Sequence, residues 1–158
     1  MPNKSNEVQN KNGNRSVECR FFITLHTHGH RALLASTTEQ GFTKLMPTRF
    51  GLLVEAQWHA LRLIDTELFC LKPASIHALI HVPGNTAQSG NAQRLLHDTI
   101  AVFKADTTQL YNRTARQDYH VRLWAPAIAC EPVNTPEQLT IIRGFFCENT
   151  VFGQQTQR

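Results

Sequence analysis

The chain has 158 residues, with Lys+Arg 16 against Asp+Glu 12 and a formal net charge of +4. Hydrophobic residues make up 41% and charged residues 18%. That suits the core of one ordinary domain and excludes a disordered chain, a collagen-like chain or a small disulfide scaffold. No run of about 18 apolar residues is present to span a membrane, and the Asn- and Lys-rich start has no apolar stretch of the export-signal kind. The expectation is a soluble, cytoplasmic protein with no membrane partner. Cys19, Cys70, Cys130 and Cys147 form no C-x-x-C pair, so they read as reduced, mostly buried thiols rather than a zinc site or a disulfide framework. The basic surplus is small and scattered, and charge alone argues weakly for nucleic acid.

Residues 1–17 read as a disordered polar tail, 18–152 as the folded domain and 153–158 as a second polar tail. The domain opens with Cys19 to Thr27, rich in aromatic and β-branched residues and predicted as a strand that Gly29 ends. A helix is predicted after Pro47, with Pro47 suiting its first turn and Leu53, Ala56, Trp58 and Leu61 as its apolar face. Two strands follow, Glu67 to Leu71 and Ile76 to Val82, joined through Lys72-Pro73-Ala74-Ser75. Pro83-Gly84-Asn85 signals a turn, with a loop reaching Asn91. A second long helix spans about Ala92 to Asn112, with Leu96, Ile100, Phe103 and Leu110 on its buried stripe and Lys104 beside it. Leu123-Trp124 and Ile128-Ala129 read as short strand pieces around Pro126. In the last helix Thr135 is the cap, Pro136 fits the first turn, and Gln138 completes a T-x-x-Q capping box ahead of Leu139, Ile142 and Phe146. Strands interleaved with helices and joined by hairpin-length links point to an α+β sandwich.

At Lys72-Pro73-Ala74-Ser75-Ile76-His77-Ala78-Leu79-Ile80 the chain resembles the single-tyrosine transposases of the HUH class, including the REP-associated tyrosine transposases, which carry M-P-N-H-x-H followed by aliphatic residues. Phe22-Ile23-Thr24 is similar to the family's opening strand, and Gly51 to Trp58 to its first helix. Phe103-Lys104-Ala105-Asp106-Thr107-Thr108 is similar to F-K-S-x-x-T, and Leu123-Trp124 to the V-W that follows. Ile141-Ile142-Arg143-Gly144-Phe145-Phe146-Cys147-Glu148-Asn149-Thr150 is similar to I-R-x-Y-I-x-x-N-P. The matches keep the family's order from about Cys19 to Phe152. The resemblance implies a ferredoxin-like domain, an antiparallel sheet with helices packed on one face, acting on single-stranded or hairpin DNA as a monomer or a homodimer.

In that chemistry two histidines at i and i+2 of a strand face the same side and hold one divalent metal. A helix tyrosine attacks a DNA phosphodiester that the metal polarises. An amide four residues on completes the metal shell. Here Ser75 stands at the first histidine position and Phe145 at the tyrosine position, while His77 and Asn149 keep theirs. A phenyl ring has no oxygen with which to form the covalent intermediate, so no catalytic residue is assigned and loss of strand cleavage is expected. His77 and Asn149 remain as residual metal positions, with no cofactor expected and Mg or Mn only if activity survives. Lys104, Asn112, Arg113 and Arg116 are the implied DNA contacts, flanked by Arg94 and Arg122. The alternative is an active, atypical metal-dependent nickase or transposase using Tyr111 or Tyr119, the chain's two tyrosines. Two further histidine pairs, His26 with His28 and His77 with His81, read either as polar strand positions or as ligands.

Overall fold

The structure, a computed structural model, describes residues 19–38, 44–82, 91–115 and 121–149. Both predicted tails, the turn at Pro83-Gly84-Asn85, Arg116 and Tyr119 lie outside these residues. The elements in order are β1 (Cys19–His26), β2 (Ala35–Thr38), β3 (Lys44–Pro47), α1 (Arg49–His59), β4 (Asp65–Lys72), β5 (Ser75–Val82), α2 (Asn91–Thr114), β6 (Ala129–Val133) and α3 (Pro136–Asn149). A 3-10 turn at His28–His30 follows β1, with Gly29 in the left-handed region at φ 65°.

The main sheet has the order β4-β5-β1-β6, and every neighbouring pair is antiparallel. With α1 between β1 and β4, and α2 between β5 and β6, the arrangement is α+β and consistent with a ferredoxin-like fold. β2 and β3 form a separate two-stranded hairpin, an element the sequence analysis does not predict.

The two faces of the sheet bury different side chains because strand residues alternate. On one face Phe21, Ile23 and Leu25 of β1 join Ile76, Ala78, Ile80 and Val82 of β5 against Val54 and Trp58 of α1 and Leu96, Ile100 and Phe103 of α2. On the other, Phe22, Leu68, Cys70 and Leu79 meet Leu139, Ile142, Phe145 and Phe146 of α3. The helices α1 and α2 cover one face as expected, and α3 adds a layer on the opposite face. Apolar side chains alternate onto both sides of β1, β4 and β5, so an uncovered second face would leave Phe22, Leu68 and Leu79 in water.

The N-terminus of α1 differs from expectation. Pro47 ends β3 and Thr48 is the cap, its Oγ1 accepting from the Gly51 N–H at 2.9 Å. The same hydroxyl donates to the Leu33 carbonyl at 2.7 Å, which ties the helix start to the chain before β2. The buried face of α1 is Gly51, Val54 and Trp58, while Leu53 is 43% exposed. Gly51 selects that face. A β-carbon there would sit 1.9 Å from the Leu34 carbonyl oxygen, so the helix approaches the backbone as only glycine allows.

In α2, Leu96, Ile100 and Phe103 are buried and Leu110 is half-buried. Trp124 meets Thr27 in an isolated bridge, and its indole N–H donates to Thr107 Oγ1 at 2.8 Å. Thr107 in turn donates to the Phe103 carbonyl at 2.7 Å, so the buried polar atoms of this corner are partnered. The capping box of α3 is present: the Gln138 N–H donates to Thr135 Oγ1 at 3.2 Å, and the Thr135 N–H to Gln138 Oε1 at 3.2 Å. All four cysteines are free thiols; Cys70 is buried, Cys19 and Cys130 are half-buried, and Cys147 is exposed.

Candidate functional site

The centre of the α3-covered face is polar where the rest is aromatic. β5 puts Ser75, His77, Leu79 and His81 on this side by alternation, and β1 contributes Phe22, Thr24 and His26. Register brings them together. Thr24 pairs directly with His77, and His26 with Ser75. On the other flank Cys70 pairs with His77, and Lys72 with Ser75.

His77 is held by a hydroxyl on each ring nitrogen. Thr24 Oγ1 lies 3.2 Å from Nδ1 and Ser75 Oγ 2.9 Å from Nε2. A neutral imidazole has one donor and one acceptor, and hydroxyls satisfy either tautomer because they can both donate and accept. The ring is half-buried under aromatic neighbours, stacked on Phe22 at 6.2 Å between centroids and tilted against Phe145 at 5.1 Å. Burial, then the Lys72 ammonium, then His26 push its pKa down from the ordinary 6.5 to about 4. It is therefore neutral at physiological pH.

Phe145 reaches this point because α3 crosses the face at the level of β4 and β5. Its ring packs edge-on to Phe22 at 5.8 Å and Phe146 at 5.5 Å. Phe146, 3% exposed, anchors the helix. Arg20 to Glu67 at 2.6 Å and Arg143 to Glu67 at 3.8 Å tie β1, β4 and α3 together. The Lys72 ammonium stands 4.7 Å over the Phe145 ring. Ser75 and His77 of β5 thus lie beside Phe145 of α3 on one face. Asn149 is the last residue of α3, and its side chain lies outside the described residues.

The DNA contacts implied on α2 do not join this cluster, because α2 covers the opposite face. The Lys104 ammonium donates to the Ala125 carbonyl at 2.7 Å and faces that of Pro126 at 3.4 Å, and burial lowers its pKa. It braces the loop after Trp124, beside a shallow recess of about 390 Å³ lined by Lys104, Thr108, Arg122 and Trp124. Asn112 accepts from the Val121 N–H at 3.0 Å and donates to the Val121 carbonyl at 3.5 Å, so its amide fastens the returning chain. Arg113, Arg94 and Arg122 are exposed. Tyr111 packs edge-on to Phe50 at 5.2 Å with the Arg31 guanidinium 5.8 Å above it. It belongs to the α1–α2 side of the sheet, which separates its hydroxyl from His77.

Neither further histidine pair assembles. β1 ends at His26 and the chain turns, so the ring beside His26 is His30 at 5.3 Å, while His28 is exposed. His81 pairs with Arg20 and Asp65 near the far end of β5, roughly 13 Å along the strand from His77. Its Nε2 is buried without a hydrogen-bond partner. Among the described residues no group of three or more His, Cys, Asp or Glu side chains is placed to hold a metal ion. One imidazole flanked by two hydroxyls is a poor donor set for a divalent cation, so the described residues of this site do not fit a resident metal.

The sequence analysis missed Thr24 and Lys72. Both become visible only through cross-strand register, although Lys72 opens the very motif that drew attention. No protein-family model matches the chain, and no curated protein matches it.

Proposed function

We propose that this chain is a transposase-like DNA-binding domain that recognises single-stranded or hairpin DNA and has lost strand cleavage and transfer. The observation that carries the reading is the convergence of Ser75, His77 and Phe145 on one sheet face, with ring centroids of His77 and Phe145 5.1 Å apart. Those three positions are the ones the motif resemblance marks, and they lie on two different elements. The chemistry follows from the atoms present. Phe145 offers no nucleophilic oxygen. His77 is neutral and hydrogen-bonded by hydroxyls. What remains is a recognition surface in which half-buried aromatic rings and the Lys72 ammonium suit bases and phosphates of an unpaired strand.

The test is incubation of the purified chain with single-stranded hairpin DNA and Mn²⁺ or Mg²⁺, resolved on a native and a denaturing gel. A shifted native band without cleavage or covalent adduct is the expected result. An adduct overturns it in favour of an active enzyme, with Tyr119 the first tyrosine to replace, since Tyr111 packs on the other side of the sheet. Absence of any shift overturns the DNA reading.

A further inference from the structure

We infer that Lys72, Ser75 and His26 form a seat for a phosphate group that works without a metal ion; this rests on the reading that the α3-covered face meets a DNA strand. The three residues make one row across three strands. Lys72 ends β4, Ser75 begins β5 and His26 ends β1, with Lys72 paired to Ser75 and Ser75 to His26. By alternation all three point to the same face as His77.

The row carries positive charge and donors with no acid to neutralise them. Lys72 is held at 4.7 Å over the Phe145 ring, a contact that fixes the ammonium while leaving its N–H groups unused. The face's Glu67 is engaged by Arg20 and Arg143, and no described carboxylate lies in ion-pair range of Lys72. Both Lys72 and His26 oppose protonation of His77. Ser75 Oγ lies 2.9 Å from His77 Nε2, and in the tautomer that carries its proton on Nε2 the serine hydroxyl keeps its own hydrogen for a further acceptor. An ammonium, a hydroxyl and an imidazole in one register row of one sheet face suit an oxyanion, because hydrogen bonds to an ionised acceptor are the strong ones. Lys72 thus supplies the positive charge in a site whose donors do not suit a divalent cation.

The phosphate can belong to a DNA strand or be free in solution, and the experiment separates the two. Fluorescence anisotropy of the full chain with a labelled oligothymidine is run in EDTA over a salt series, and amide NMR of the same chain with inorganic phosphate. The wild type is expected to bind the oligonucleotide in EDTA. Lys72→Gln is expected to weaken binding about tenfold and to lower the slope of log affinity against log salt by about 0.7. Lys72→Arg is expected to keep both. If Lys72→Gln binds as the wild type does, the seat is refuted while the DNA reading stands; if EDTA abolishes binding, the metal-free seat is refuted. If the wild type binds no DNA, the DNA reading fails. Inorganic phosphate then decides: shifts at Ser75 and His26 that Lys72→Gln removes support a seat for free phosphate, and their absence overturns it. Should Lys72→Gln not fold by circular dichroism, Ser75→Ala takes its place and is expected to weaken binding with the salt slope unchanged, while binding equal to the wild type refutes the seat.

Discussion

Acidification is expected to destabilise the domain through His77 in a defined window. The folded ring titrates at about 4, against 6.5 for a free imidazole. Between those values the unfolded chain takes up a proton that the folded chain refuses, so stability is complete above about 6.5 and is lost as pH falls toward about 4. A tenfold change in proton affinity is about 1.36 kcal/mol, which makes the full difference about 3.4 kcal/mol as an upper bound. The ring is only half-buried, and solvent screening reduces this to about 1–2 kcal/mol. The assay is urea unfolding at pH 7.5 and pH 4.5 for the wild type and for His77→Gln, with an NMR titration of the imidazole alongside. Other groups titrate in both proteins, so the difference between them isolates His77. The variant is expected to lose about 1–2 kcal/mol less than the wild type over this interval. An imidazole titrating near its ordinary value, or a variant that loses as much as the wild type, refutes the account of a neutral ring framed by hydroxyls under α3.

Gly51→Ala is expected to destabilise the fold by about 2–3 kcal/mol in the same urea assay, because its β-carbon would meet the Leu34 carbonyl, whereas Gly144→Ala, with open space around it, is expected to be neutral or stabilising as a helix substitution. Thiol titration at pH 8 is expected to modify exposed Cys147 first, with Cys130 slow because burial pushes its thiol up to about 11 and Cys70 slow because burial raises it too. The pair Ser75→His with Phe145→Tyr is expected to gain Mn²⁺ affinity, read by calorimetry, and to yield a covalent adduct with single-stranded DNA on a denaturing gel; metal binding without an adduct would show that cleavage needs more than these two positions.

The parts of the fold set by local chemistry were legible in the sequence. The capping box of α3, the strand at Cys19, the hairpin through Pro73-Ala74 and the stripe of α2 all depend on residues within a turn or two of one another. The buried face of α1 did not come through, because Gly51 faces the sheet by virtue of what it lacks while Leu53 and Ala56 score as apolar and lie outside. The β2–β3 hairpin was missed because Ala35-Ser36-Thr37-Thr38 carries no alternation of large apolar residues. At the site, motif spacing pointed to Ser75, His77 and Phe145, but Thr24 and Lys72 enter through strand pairing across gaps of 53 residues to His77 and 3 to Ser75. Lys104 and Asn112 show the converse. Their donors are engaged by the carbonyls of Ala125 and Val121, and no spacing rule reveals which backbone groups a loop will present.

Ser75 and Phe145, where the chain departs from the motif it resembles, share a physical character that bears on the proposal. Phe145 meets Phe22, Phe146, His77 and Lys72 through its ring, and a tyrosine in its place would make the same contacts. Against a tyrosine at that position, phenylalanine lacks one oxygen and packs α3 in the same way. Ser75, 7% exposed, gives His77 Nε2 a partner, where an apolar residue would leave a buried ring nitrogen unsatisfied at a cost of about 1–3 kcal/mol. The face holds the hydroxyls of Thr24 and Ser75 on His77, the ring contacts of Phe145 and the Lys72 ammonium in one register. On the proposed DNA-binding reading these are the groups that would meet a strand, and Phe145 brings no phenolic oxygen among them.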